Sequence, residues 1–171
     1  MTSESQRGKR PLAAMLTGPY GHPFHPILVT VPIGAWIASL VFDIGSHVVD
    51  DPDFLARGAL WLIAIGVIGA LVAAAVGTLD LVTIPTRTPA FRTGLLHMGL
   101  NLAVLVAFVV GFLWRYDSGG PYDATAAGPL VLSIIALLVL GGSGYLGGKL
   151  AYHYGVRVAD EATQATGFER P

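Results

Sequence analysis

The chain has 171 residues, of which 53% are hydrophobic and 12% charged. A soluble domain carries about 25% charged residues, so this composition points to a protein whose solvent is lipid. A formal net charge of -1 gives no electrostatic reason to bind nucleic acid. The lack of cysteine excludes disulfides, cysteine-ligated iron–sulfur clusters, covalent c-type haem and thiol nucleophiles.

In chain order, a polar tail over residues 1–18 carries Arg7, Lys9 and Arg10. A domain over 19–158 follows, and a second polar tail over 159–171 closes the chain. Within the domain the apolar residues fall into four long blocks, about 26–48, 59–82, 91–114 and 129–150. Each is close to the ~20 residues that a helix needs to cross the hydrocarbon core. Backbone groups in lipid must bond within the protein, which leaves helices or a closed barrel. The ten-residue alternation of barrel strands is missing. The fold class is therefore all-α, an integral membrane bundle of four transmembrane helices joined by short loops. The first block is too long for a signal peptide and is followed by three more, so it reads as a retained helix.

Small residues mark two helices. Gly66, Ala70, Ala73, Ala74 and Gly77 lie on the second, and Gly141, Gly142, Gly144, Gly147 and Gly148 on the fourth. The fourth-helix run also spells GxGxxG, but no strand precedes it, and a dinucleotide site needs one. Small residues in a membrane helix let another helix approach closely. The second and fourth helices are thus expected to make the tightest contacts of the bundle, and the glycine face offers a route to a homodimer.

Orientation follows from the cations. Eight of the ten Lys and Arg fall on one side: Arg7, Lys9, Arg10, Arg87, Arg92, Lys149, Arg157 and Arg170. Arg57 and Arg115 lie on the other, with Asp50, Asp51, Asp53, Asp117 and Asp123. The positive-inside rule places both termini in the cytoplasm, and a bacterial inner-membrane location is expected. Trp61, Trp114, Tyr116 and Tyr122 fall near the outer boundary, where aromatic rings prefer to sit. Trp36 departs from that belt.

Of the five histidines, His22, His25, His97 and His153 gather towards the inner face and only His47 is outer. Ionisable groups within a membrane mark function. His97 lies about 8 Å up the third helix from Arg92, at 1.5 Å per residue. Imidazole is the commonest nitrogen ligand of haem iron, copper and zinc, and a four-helix bundle can hold haem between facing helices. His25 and His97, from different helices at similar depth, are the candidate axial pair for a haem b. Asn101, one turn from His97, is placed to bond the ligand shell. His153, Arg87 and Arg92 are placed for the carboxylates. A transition-metal ion held among His22, His25, His97, His153 and Asp80 is the alternative ligand. Asp80 needs a partner, for which His97, Arg87 and Arg92 are candidates. Asp43 and His47 stand at i,i+4 spacing, as a local ion pair or a second, outer site. The plain alternative is that the histidines order an interface, with His22 and His25 set among Pro23 and Pro26 at the entry to the first helix.

The run Gly21-His22-Pro23-Phe24-His25-Pro26-Ile27-Leu28-Val29, with Pro32-Ile33-Gly34 after it, resembles the opening of a bacterial membrane family, the domain of unknown function twenty-two thirty-one. Asp43, Asp80, the stretch His97-Met98-Gly99-Leu100-Asn101 and the closing run Gly147 to Val158 are similar too. The resemblance covers about 19–158 and brings no settled activity. Some members are fused to Rieske-type iron–sulfur domains, which implies a redox setting and a separate redox partner protein for this chain. The expectation is a cofactor-binding or electron-transfer protein rather than a catalyst, since no nucleophile with an activating base is visible. The alternative is a non-catalytic membrane scaffold or metal-binding protein.

Overall fold

The computed structural model describes residue 9, residues 21–117 and residues 123–169. Arg7, Arg10, Tyr122 and Arg170, used above, and the expected start of the domain at residue 19 lie outside the described residues. Four long helices form the body: α1 (His25–Gly45), α2 (Asp53–Leu81), α3 (Pro89–Asp117) and α4 (Ala127–His153), each apolar and long enough to cross a membrane. A short α5 (Glu161–Ala165) follows, capped by Asp160, whose carboxylate accepts from the Thr163 N–H. Large side chains point away from the bundle: Val41 is 61%, Ile68 64% and Leu138 72% exposed. Such a surface is stable only against lipid, and the protein is an all-α, multi-pass membrane protein.

Local chemistry sets the helix limits. Pro26 opens α1, where its missing N–H is no loss. Pro32 lacks the N–H that the Leu28 carbonyl would accept, and the helix is interrupted at Val29. Pro52 precedes α2, and Asp53 sits in its first turn, favourable at a helix N-terminus. Before α3, the Thr88 hydroxyl accepts from the Phe91 N–H at 3.1 Å, and Pro89 takes the first helical position. α2 thus begins at Asp53 rather than near Ala59, and α3 runs to Asp117 rather than stopping near Trp114. Polar first and last turns extend these helices beyond their apolar blocks. The last turn of α4, Lys149–His153, widens to a π-helix and ends at Gly155, whose φ of 67° suits glycine.

Each helix packs most closely on its sequence neighbour, in hairpins α1–α2 and α3–α4; α2 with α3 and α1 with α4 close the ring. The expected close packing of the second helix on the fourth is not what the chain does. The small residues of α2 seat side chains of α1: a Cβ on Gly66 would fall 2.2 Å from Trp36 Nε1, and one on Gly77 2.7 Å from His25 Cε1. Gly141, Gly142 and Gly144 of α4 meet nothing within 4 Å and lie on the outside of the bundle.

The two hairpins repeat one another. The buried residues of α1 are Pro32, Trp36, Ser39 and Asp43; four of α3's are Val104, Phe108, Gly111 and Arg115. Each stands 72 residues after its counterpart, the separation of Asp43 from Arg115. The buried Ala59, Ile63, Gly66 and Ala73 of α2 likewise match Pro129, Ser133, Ala136 and Ser143 of α4 at a constant spacing. Both hairpins run in the same sense, so their pseudo-two-fold axis lies along the bundle. At its middle the equivalent Trp36 and Phe108 stack, ring centres 4.2 Å apart and 7° from parallel. With Ile63, Val104 and Ala136 they form the core. Trp36 is 2% exposed, which is why it stands apart from the interfacial aromatics. Trp61, Trp114 and Tyr116 are exposed.

Candidate functional site

One end of the bundle holds the histidine pair. Pro26 and the turn at its start fix His25 at the head of α1, and His97 lies two turns into α3, at the repeat-equivalent position. His25 Nδ1 donates to the Ala73 carbonyl of α2 at 2.9 Å. His97 Nδ1 donates to the Ser143 carbonyl of α4 at 2.8 Å. The two acceptors are themselves repeat-equivalent. A carbonyl only accepts, so Nδ1 carries a proton in both rings, and Nε2 is the nitrogen that can offer a lone pair. The ring centres are 6.5 Å apart and the planes perpendicular at 88°.

Glycines make room for these rings. His25 lies on Gly77, and a Cβ on Gly147 would stand 3.1 Å from His97 Cε1. The Ser143 hydroxyl sits 3.0 Å from His97 Nδ1 and donates to the His97 carbonyl at 3.2 Å. Asn101 Nδ2 donates to the same carbonyl at 2.9 Å and lies 3.1 Å from His97 Nε2 and 3.4 Å from Nδ1. An atom on the in-plane axis of Nε2 would be far closer to Nε2 than to Nδ1. The near-equal distances place the amide against the ring rather than on the lone pair.

The other expected site residues are not brought to this pair. His22 Nδ1 donates to the Pro23 carbonyl at 2.9 Å. His153 is exposed, and its ring lies against Tyr154, centres 4.8 Å apart. Arg87 and Arg92 are exposed. Asp80 pairs with Arg157, Nε to Oδ1 at 3.0 Å, and not with His97, Arg87 or Arg92. The reason is that the turn after α4 brings Arg157 back over the end of α2. Among the described residues no three His, Asp or Glu side chains gather as a metal-ligand set, so His22, His25, His97, His153 and Asp80 are not assembled as one.

The opposite end holds a buried ion pair. Arg115 Nη2 donates to Asp43 Oδ2 at 2.6 Å, with the side chains 6% and 0% exposed. The guanidinium also donates to the Ser133 hydroxyl at 3.1 Å and to the Gly111 carbonyl at 3.1 Å. The Thr125 hydroxyl donates to Asp43 Oδ1 at 2.8 Å, and the Thr125 N–H to Ser46 Oγ at 3.1 Å. This knot ties α1, α3, α4 and the loop before α4. Asp43 therefore faces inward to Arg115, while His47 is exposed, which corrects the expected Asp43–His47 pair. An i,i+4 spacing on one helix cannot reveal a partner on another. The missed residues are Arg115, Thr125, Ser133, Ser143 and Arg157. For Arg115 the spacing from Asp43, equal to that of His25 and His97, was the available signal.

The motifs at both ends of the domain belong to a recognised group of sequences. Residues 21–160 match the family described as predicted membrane protein DUF2231, and the chain belongs to that family. No curated protein and no solved structure matches it.

Proposed function

We propose that the protein is a small membrane cytochrome in which His25 and His97 are the axial ligands of a haem b. By the distribution of Lys and Arg the histidine end faces the cytoplasm, and a separate redox partner exchanges electrons with it there. The observation that carries the reading is the matched pair of imidazoles. Each comes from a different hairpin, and each has Nδ1–H fixed by a backbone carbonyl and Nε2 left with its lone pair. That second bond is what orients a ligating histidine and selects its tautomer. His25 and His97 would hold the group between their rings, whose centres stand 6.5 Å apart. The donor set fits a ligand that carries its own equatorial nitrogens. A bare ion of the zinc type would ask for about four protein ligands, and no third ligand stands with the pair among the described residues. Haem, when bound, supplies a one-electron couple. The chain's own residues hold the rings through Ala73 and Ser143 and make room for them at Gly77 and Gly147.

The test is an absorption spectrum of protein purified in mild detergent, oxidised and then reduced with dithionite. A Soret band with sharpened α and β bands is expected, lost in His25→Ala and in His97→Ala. Undiminished haem in either variant would make the axial assignment wrong.

A scaffold is the second reading, favoured by the fact that both histidine bonds cross between helices. A colourless, folded protein from haem-replete cells, losing thermal stability on either substitution, would select it. Metal analysis of the same sample would show whether a transition-metal ion takes the place of haem.

A further inference from the structure

Arg157 lies in the segment that returns over the end of α2. Its own φ is 59°, two residues after Gly155 at 67°. A non-glycine residue in this region is held there by its surroundings. Its side chain is 7% exposed and lies against Asp80. Asp80 is three residues past Gly77, on the same face of α2 and one turn further from the membrane centre than the glycine that seats His25. The guanidinium thus stands about one helical turn from the histidine pair.

Pinning the returning segment explains only one edge of this group. Arg157 Nε lies 3.0 Å from Asp80 Oδ1 as an ion pair without an aligned hydrogen bond, and Nη2 is buried with no hydrogen-bond partner among the described residues. A guanidinium offers five N–H donors in a planar fork, and a buried, unanswered donor is uncommon in a folded protein. A second cation stands close by: Lys9 Cε and Nζ lie 3.5 and 3.7 Å from where a Cβ on Gly155 would be.

We infer that Arg157, positioned by Asp80, receives an anionic oxygen of the ligand held by His25 and His97. This rests on the reading of that pair as a haem site. The chemistry required is a carboxylate or a phosphate, and haem b carries two carboxylates. Arginine is suited to this task because its fork bonds a carboxylate through two parallel N–H groups.

The experiment titrates haem b and haem b dimethyl ester, which has no free carboxylate, into haem-stripped full-length protein. Wild type is expected to bind haem about tenfold more tightly than the ester, the effect of one hydrogen bond to a charged group. Arg157→Gln is expected to bind the two alike. Arg157→Lys, which keeps the charge without the fork, is expected to fall between them. The ratio within each variant is insensitive to a fraction of unfolded protein, and Arg157→Lys serves if Arg157→Gln fails to fold. A preference that survives in Arg157→Gln overturns the inference and leaves the histidine reading standing. Equal binding by wild type overturns it too, as does a phospholipid that copurifies stoichiometrically with wild type and not with Arg157→Gln. Binding of neither compound by wild type overturns the histidine reading and this inference with it.

Discussion

The two ends of the bundle are built at equivalent places in the repeat and finished in opposite ways. At one end, Asp43 and Arg115 meet in a dry setting, with both carboxylate oxygens bonded and the guanidinium tied to several neighbours. At the other, His25 and His97 approach across the same axis, each with Nδ1 bonded and, among the described residues, no aligned partner on Nε2. A polar pair whose opposite charges answer one another holds helices together. A pair that is half answered is equipped to hold something else. The difference teaches where ligand chemistry is best sought, at the half-answered pair rather than at the buried charges.

Substitutions at the ion pair should separate the ends most sharply. Arg115→Met strands a buried carboxylate and should destabilise by about 3–5 kcal/mol, read as a fall in the thermal midpoint in detergent. Asp43→Leu combined with Arg115→Met should recover most of that loss, because replacing both partners by apolar groups removes the stranded charge. Equal losses in the single and double variants would mean that the pair contributes net stability. On the proposed cytochrome reading, neither variant should abolish haem binding if enough protein remains folded.

At the histidine end the steric term comes next. Gly77→Val forces a side chain into the space of the His25 ring and should cost about 1–3 kcal/mol; on the proposed reading, haem is lost as the imidazole is displaced. Gly147→Val should do the same to His97 with a smaller effect, since a Cβ there is less crowded by the ring, 3.1 Å against 2.7 Å. The reverse order would show that the rings are not held as described.

Ser143→Ala removes only the hydroxyl beside His97 and leaves the carbonyl that fixes its tautomer. A loss of about 0.6 kcal/mol, the mean for hydrogen bonds between membrane helices, is expected in chemical denaturation, with the haem spectrum retained. The smallest effect belongs to His47→Ala. That ring is exposed, and a change within about 0.5 kcal/mol is expected; a larger loss would restore the Asp43–His47 pairing that the geometry rejects.

Much of the architecture was legible in the sequence. Four apolar blocks gave four helices, because lipid leaves the backbone few choices. The pairing of His25 with His97 was also legible, since depth along two parallel helices is a matter of counting residues. What stayed hidden was rotation about each helix axis. The glycines of α2 were visible as a smooth face, but not that Trp36 and His25 would fill it. Those of α4 were equally visible, and most face outward. Asp80 showed a need for a partner, yet Arg157 reaches it only through a π-turn and two left-handed residues, a path that apolar periodicity does not encode. Helix limits shifted for a similar reason: polar turns continue a helix past the hydrocarbon edge.

The repeat has a consequence for how such a protein can arise. In a homodimer of identical hairpins, a residue on the two-fold axis faces its own copy, so aspartate would meet aspartate and arginine would meet arginine. Joining two copies in one chain frees the halves to diverge. Asp43 opposite Arg115 is a pairing open only to the fused form, whereas histidine opposite histidine is available to both. The histidine pair therefore keeps the symmetry of a duplicated hairpin, and the ion pair records its loss.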